Sequence, residues 1–131
     1  MKILAIESSC DETAAAVIED GRKILSSVVY TQIATHALYG GVVPEIASRR
    51  HMEAVVRVTE QALKDAEMDK HDVDAVAATC APGLIGALLV GANFGQSLAF
   101  AMNKPFLPVH PIRGPLDAPF LAYTDMKPPT L

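Results

Sequence analysis

The sequence predicts an α/β fold: a mixed β-sheet of about five strands with helices on its faces. Three observations carry this. Three strand-like runs come first, the second and third joined by the hairpin signal Asp20-Gly21. Two long helical segments then alternate with two short apolar strand-like runs. Half of the 131 residues are hydrophobic and only 20% are charged, enough apolar material for a core.

The elements follow in order. "KILAIE" (2–7) is an apolar strand and "TAAAVIED" (13–20) a second, after which "RKILSSVVYT" (22–31) returns antiparallel. Gly40, Gly41 and Pro44 mark residues 32–44 as loop. A helix is expected from about Glu45 to Met68, with Ile46, Met52, Val55, Val58, Ala62 and Leu63 on its core side and Arg49, Glu53, Arg57, Glu60 and Lys64 elsewhere. "VDAVAAT" (73–79) reads as a buried strand and "APGLIG" as a turn into the apolar helix 84–102. "PFLPVH" (105–110) is the last strand. Antiparallel strands followed by helical crossovers, which must be right-handed, give the ribonuclease-H-like lobe of actin-like ATPases and sugar kinases. Those proteins carry two such lobes around a nucleotide cleft; one is read here, over 1–110, with 111–131 a proline-bearing remnant of the segment leading to a second.

A net charge of −4 and a pI near 5.5 give no overall attraction to nucleic acid or anionic lipid, so an RNA role must rest on a few residues. Two cysteines and no basic-then-apolar leader point to a reducing compartment, and the cytoplasm is expected. Cys10 and Cys80 end neighbouring strands and are expected reduced. Helix 84–102 approaches membrane-spanning length, but Asn93, Gln96 and Ser97 interrupt it and no basic cluster flanks it. It is read as a buried helix.

Three constellations bear chemistry. In "IESSCDET" (6–13), Ser8, Ser9 and Thr13 could hold phosphate oxygens while Asp11 and Glu12 orient a metal-bound phosphate or move a proton. Equally, these polar residues could satisfy their own turn. Pro82 and Gly83 open a helix at the carboxyl end of a parallel strand, a position that attracts anions; close packing of helix on sheet explains Gly86, Gly91 and Gly95 as well. Arg49, Arg50 and His51 form a basic cluster suited to an RNA phosphate or a partner's carboxylate, or to a solvated first helical turn.

Taken together, "MKILAIESSCDETAAAV", "YGGVVPEIASRRH", "APGLIGALLVG" and "PFLPVH" resemble, in order and spacing, the amino-terminal half of the tRNA threonylcarbamoyladenosine transferase family, long labelled O-sialoglycoprotein endopeptidase or glycoprotease. The resemblance implies a two-lobed actin-like protein that transfers a threonylcarbamoyl group from its adenylate to an adenosine beside the tRNA anticodon. It also implies an iron or zinc ion, ATP or threonylcarbamoyl adenylate as ligand, a smaller paralogous subunit and an ATPase as partners, and a cytoplasmic location. Pairing of two copies, or with the paralogue, is expected through the two long helices, with Gly91 and Gly95 as a shallow strip for close approach.

The segment "HPIRGP" (110–115) departs from the family. There the family reads His-His-x-x-Gly-His, and its second and third histidines bind the metal. Those positions are Pro111 and Pro115 here, and proline offers no donor atom. No cofactor is therefore expected on this chain. It is expected to be one lobe of the transferase, inactive alone, or else a non-catalytic pairing module like the paralogous subunit. A metalloprotease would need a set such as His-Glu-x-x-His, which the sequence lacks.

Overall fold

Strand β1 (Lys2–Glu7) alternates Leu4 and Ile6 inward with Ile3 and Ala5 on the opposite face. It pairs antiparallel with β2 (Glu12–Glu19), which pairs antiparallel with β3 (Lys23–Thr31). The β2–β3 turn places Asp20 at φ 51 and Gly21 at φ 68, the paired positive values that a tight hairpin needs and that an Asp-Gly sequence supplies. On its other side β1 pairs parallel with β4 (Ala75–Thr79), and β4 parallel with β5 (Phe106–Val109). The strand order β3-β2-β1-β4-β5 is the mixed five-stranded sheet of an actin-like, ribonuclease-H-like lobe. Pro108 is tolerated because β5 is an edge strand. This computed structural model describes residues 1–110, 118, 119, 121–123 and 125. Most of the proline-bearing segment 111–131 thus lies outside the described residues.

Helices α2 (Pro44–Asp65) and α3 (Ile85–Ala101) pack side by side on one sheet face. Pro44 stands at the first helical position of α2, where a missing N–H costs nothing. The core beneath them joins Leu4, Ile6, Val17, Val55, Leu63, Val73, Val76, Ala78, Ala99 and Met102. The opposite face, with Ala5, Ala14, Ala16, Ala77 and Val109, borders an open recess of about 160 Å³.

Three expectations are corrected. A short helix, α1 (Ile33–Ala37), forms in the segment expected to be loop. The buried face of α2 is rotated from the predicted one: Met52 is 68% exposed, while Ala47, His51, Ala54 and Thr59 join Val55, Val58, Ala62 and Leu63 inside. In the first half of the helix the buried positions are Ala47, His51 and Ala54, and His51 is held there by hydrogen bonds to Cys10 and Thr13. Gly91 and Gly95, expected on a partner-facing strip, are turned to the protein's own sheet. A Cβ on Gly91 would meet Ser8 Oγ, and one on Gly95 would meet Phe106 and Ala78.

Candidate functional site

The link between β1 and β2 lies where two parallel strands, β1 and β4, end together at Glu7 and Thr79. Glu7 ties that end: one carboxylate oxygen accepts from the Ser9 amide and the other from the Thr79 hydroxyl. The turn into α3 then presses on the link. The Leu84 amide donates to the Ser9 carbonyl at 2.8 Å, and a Cβ on Gly83 would come within 2.6 Å of that same oxygen. Only glycine allows this approach. Gly83 therefore packs the turn against Ser9; the preceding Pro82 is joined to Ala81 by a cis peptide.

Two of the residues expected to hold phosphate are committed inside the fold. Ser8 is buried; its hydroxyl donates to the Ala87 carbonyl at 2.7 Å and accepts from the Gly91 amide at 3.0 Å. Thr13 is buried and its hydroxyl lies 2.7 Å from His51 Nδ1. Neither residue lines the recess at the link. The turn-satisfying reading does not describe Ser8 and Thr13 either: their hydrogen-bond partners stand on α3 and α2, not in the turn itself.

What remains open to solvent is a recess of about 200 Å³ lined by Glu7, Ser9, Cys10, Asp11 and Glu12. It brings Asp11 and Glu12 together, as the sequence anticipates, with Glu7, which sequence reasoning missed. The one available signal for Glu7 was a carboxylate ending an otherwise apolar strand. Among the described residues, three carboxylates and no basic side chain line this recess. A bare phosphate would be repelled there, whereas a cation-bridged one would not. Burial first, then Asp11 and Glu7, push the Cys10 thiol above its ordinary value, so at neutral pH it is a thiol and a poor nucleophile. Cys10 and Cys80 are both free.

The basic cluster is smaller than expected. His51 is fully buried and its Nε2 lies 2.9 Å from the Cys10 carbonyl, which leaves Arg49 and Arg50 on the surface. Arg50 pairs with Glu53 at 3.0 Å. Sequence reasoning also missed Gln32 and His36, buried polar residues that join His51 in one network.

The donor chemistry at 110–115 does not fit the iron or zinc that the family resemblance implies. His110, exposed at the end of β5, is the one imidazole there, and Pro111 and Pro115 lie outside the described residues and carry no ligand atom. Among the described residues no helix is long and apolar enough to cross a membrane.

A family model described as TsaD, tRNA N6-adenosine threonylcarbamoyltransferase, matches residues 23–131. The tRNA N6-adenosine threonylcarbamoyltransferase of Clostridium novyi is 54% identical over 129 residues, covering 98% of this chain and 38% of that protein. That of Caldicellulosiruptor saccharolyticus is 51% identical over 131 residues, 100% of this chain and 39% of the relative. The chain thus spans under two fifths of the length of the curated relatives it matches. Among solved structures, YeaZ from Pseudomonas aeruginosa is similar with a TM-score of 0.62 at 23% identity, over 84% of this chain and 45% of that one. That likeness speaks to the fold alone. The chain belongs to the tRNA N6-adenosine threonylcarbamoyltransferase family.

Proposed function

We propose that this chain is one lobe of a cytoplasmic, two-lobed transferase that moves a threonylcarbamoyl group from its adenylate to a tRNA adenosine, and that it does not complete the reaction alone. One observation supports this above the rest. The β1–β2 link sits at the carboxyl ends of the parallel strands, clamped to the start of α3, and presents Ser9, Asp11 and Glu12 to an open recess. In a two-lobed actin-like protein this position faces the nucleotide cleft. Asp11 and Glu12 would orient a cation-bridged phosphate of the adenylate, with the Ser9 hydroxyl beside them, and Arg49 would meet an RNA phosphate or a partner. No step by this chain runs through a family metal at 110–115.

The test is a transfer assay with preformed threonylcarbamoyl adenylate and unmodified tRNA, read by mass spectrometry of the tRNA nucleosides. The chain alone should give no modified adenosine, while binding ATP or the adenylate weakly in calorimetry. Modified adenosine from the chain alone would show that one lobe suffices. No binding at any attainable nucleotide concentration would remove the cleft assignment.

A second reading, a pairing module resembling the paralogous bacterial subunit, is favoured by a separate observation. Met52 and Val56 on α2 and Ile85, Leu89 and Phe100 on α3 are exposed apolar residues on the outer side of the helix pair. Such a stripe suits a second copy or a paralogue.

A further inference from the structure

Strand β3 forms one edge of the sheet, and from Ser26 onward nothing blunts it. Lys23 and a bulge at Leu25 guard its start, but residues 26–31, "SSVVYT", carry neither charge nor proline. The register shows which main-chain groups face away from the sheet. Thr13 stands opposite Tyr30 and Ala15 opposite Val28, and further along the same ladder the Gln32 amide donates to the Asp11 carbonyl at 3.0 Å. Alternate residues of an antiparallel pair exchange both bonds, so Val28 and Tyr30 turn their amides and carbonyls to β2. Ser27, Val29 and Thr31 turn theirs outward. Among the described residues no backbone group meets them.

Helix α2 shelters the space beside that edge. Val28 packs against the cluster that holds Ala54 and Val58, and a groove of about 270 Å³ opens between strand and helix. It is lined by Val28 and Tyr30 from β3 and by Ala54, Arg57, Val58 and Gln61 from α2. Gln61 donates to Asp65 at 2.6 Å, and Glu53, one turn before Arg57, is paired with Arg50. Arg57 itself is exposed and, among the described residues, makes no ion pair. The groove thus joins an apolar surface to an uncompensated positive charge.

An extended main chain matches such an edge. It presents donors and acceptors at the spacing of Ser27, Val29 and Thr31, and its side chains alternate between the two faces of the sheet. Those on one face would enter the groove beside α2, and those on the other would lie next to Ser27 and Val29. We propose that the β3 edge takes up an extended peptide of a partner protein as a sixth strand, and that Arg57 selects a peptide with an Asp or Glu among the side chains facing α2. The proposal stands on the sheet edge and does not depend on the transferase reading.

Other ligands fit less well. A helical one offers nothing to the outward amides and carbonyls of Ser27, Val29 and Thr31, and a basic side chain in the groove would be repelled by Arg57. The neighbouring residues of the edge are β-branched or aromatic, which suits cross-strand pairing with residues of the same kinds.

The probe is a short acetylated and amidated peptide in which Val alternates with Thr and one central Val is replaced by Glu. Nuclear magnetic resonance on the full chain should show shifts centred on 26–31 and 54–61 and slowed exchange of the Ser27, Val29 and Thr31 amides. N-methylation of one alternate set of the peptide's amides should weaken binding ~10-fold or more, and of the other set should not. A peptide with Gln for Glu should bind ~3-fold or more weakly, a difference that Arg57→Gln should abolish. Val29→Pro removes an outward amide and leaves the ladder to β2 intact, so it should fold and bind ~10-fold or more weakly. Equal binding of the two N-methylated peptides overturns the proposal, as does a Glu preference that survives Arg57→Gln, a shift pattern centred on Leu89 and Phe100, or no binding at millimolar peptide. Protection of the three amides without peptide is equally fatal: rising with protein concentration it assigns the edge to a second copy, and constant on dilution to residues 111–131 of the chain itself. If Val29→Pro does not fold, the N-methylated pair decides on the native protein.

Discussion

The Ser8 hydroxyl lies 3.0 Å from the Gly91 amide nitrogen, so the first residue of the site link is fastened to the middle of α3. A Cβ on residue 91 would stand 2.4 Å from that oxygen and 3.2 Å from Ser8 Cβ, and Ser8 is buried with nowhere to retreat. Gly91→Ala should therefore lower unfolding stability by ~1–3 kcal/mol, despite the ~1 kcal/mol that alanine gains in helix propensity. Urea unfolding of the two proteins checks it. An unchanged midpoint would mean that the link yields without loss.

Thr13→Val keeps the shape of a buried residue and removes the hydroxyl that His51 Nδ1 accepts from at 2.7 Å. The remaining donor, the Gln32 amide, is 3.5 Å away. Leaving that nitrogen under-satisfied should cost ~1–3 kcal/mol in urea or thermal unfolding. A loss below ~0.5 kcal/mol would show that Gln32 moves in to replace the hydroxyl.

Stability should fall as pH drops below the ordinary imidazole value of 6.5, because burial holds His51 beneath it. In that window the unfolded chain binds a proton that the folded chain refuses, and the slope of stability against pH is positive. Other shifted groups act elsewhere. The amino-terminal ammonium, raised from 8.0 by Asp20, contributes below 8.0 and loses its contribution as pH rises above it; Asp20, lowered from 3.8 by that pairing, contributes above 3.8. Both are exposed, so their effects are small. Denaturation at a series of pH values measures the slope; a flat line from about pH 7 to about pH 5.5 would contradict it.

Asp11→Ala separates ligand binding from folding. The Asp11 backbone is held by the Gln32 amide, while its side chain lines the open recess. Stability should change by no more than ~0.5 kcal/mol and nucleotide affinity should change several-fold, read by melting and calorimetry on one preparation. A loss of ~1 kcal/mol or more with no measurable nucleotide binding would make Asp11 a turn residue only.

Local signals found most of the fold. The short apolar run "KILAIE" gave β1 its bounds, and Asp20-Gly21 marked the hairpin because few other pairs accept positive φ at both positions. The rotated face of α2 was hidden, since hydrophobicity ranks Met52 above His51, whereas a histidine with hydrogen bonds to Cys10 and Thr13 buries readily. At the site, Asp11 and Glu12 were legible as carboxylates in a tight link. The fate of Ser8 and Thr13 was not, because a hydroxyl suited to phosphate is equally suited to a backbone group 79 residues away, and only the fold chooses. The glycines of α3 posed the same ambiguity: a strip of small residues permits close approach without saying to what.

With Gly91 and Gly95 turned inward, any pairing of helices must use the opposite side of α3. Ile85, Leu89 and Phe100 lie there at 75%, 50% and 88% exposure, flanked on α2 by Met52 and Val56. Their spacing places the three within about one helical stripe, and an apolar stripe of this kind on two adjacent helices exceeds the scattered exposure normal for a monomer. Light scattering should show a dimer at micromolar concentration. Leu89→Lys combined with Phe100→Lys should weaken association at least ~10-fold while leaving the monomer's melting almost unchanged, since both side chains already face solvent in the single chain. Gly91→Ala, in contrast, should act on stability and leave dimerisation of the folded fraction intact. A chain that stays monomeric at millimolar concentration, or a charge pair at 89 and 100 that leaves the dimer as tight as before, would remove this face as the site of self-association.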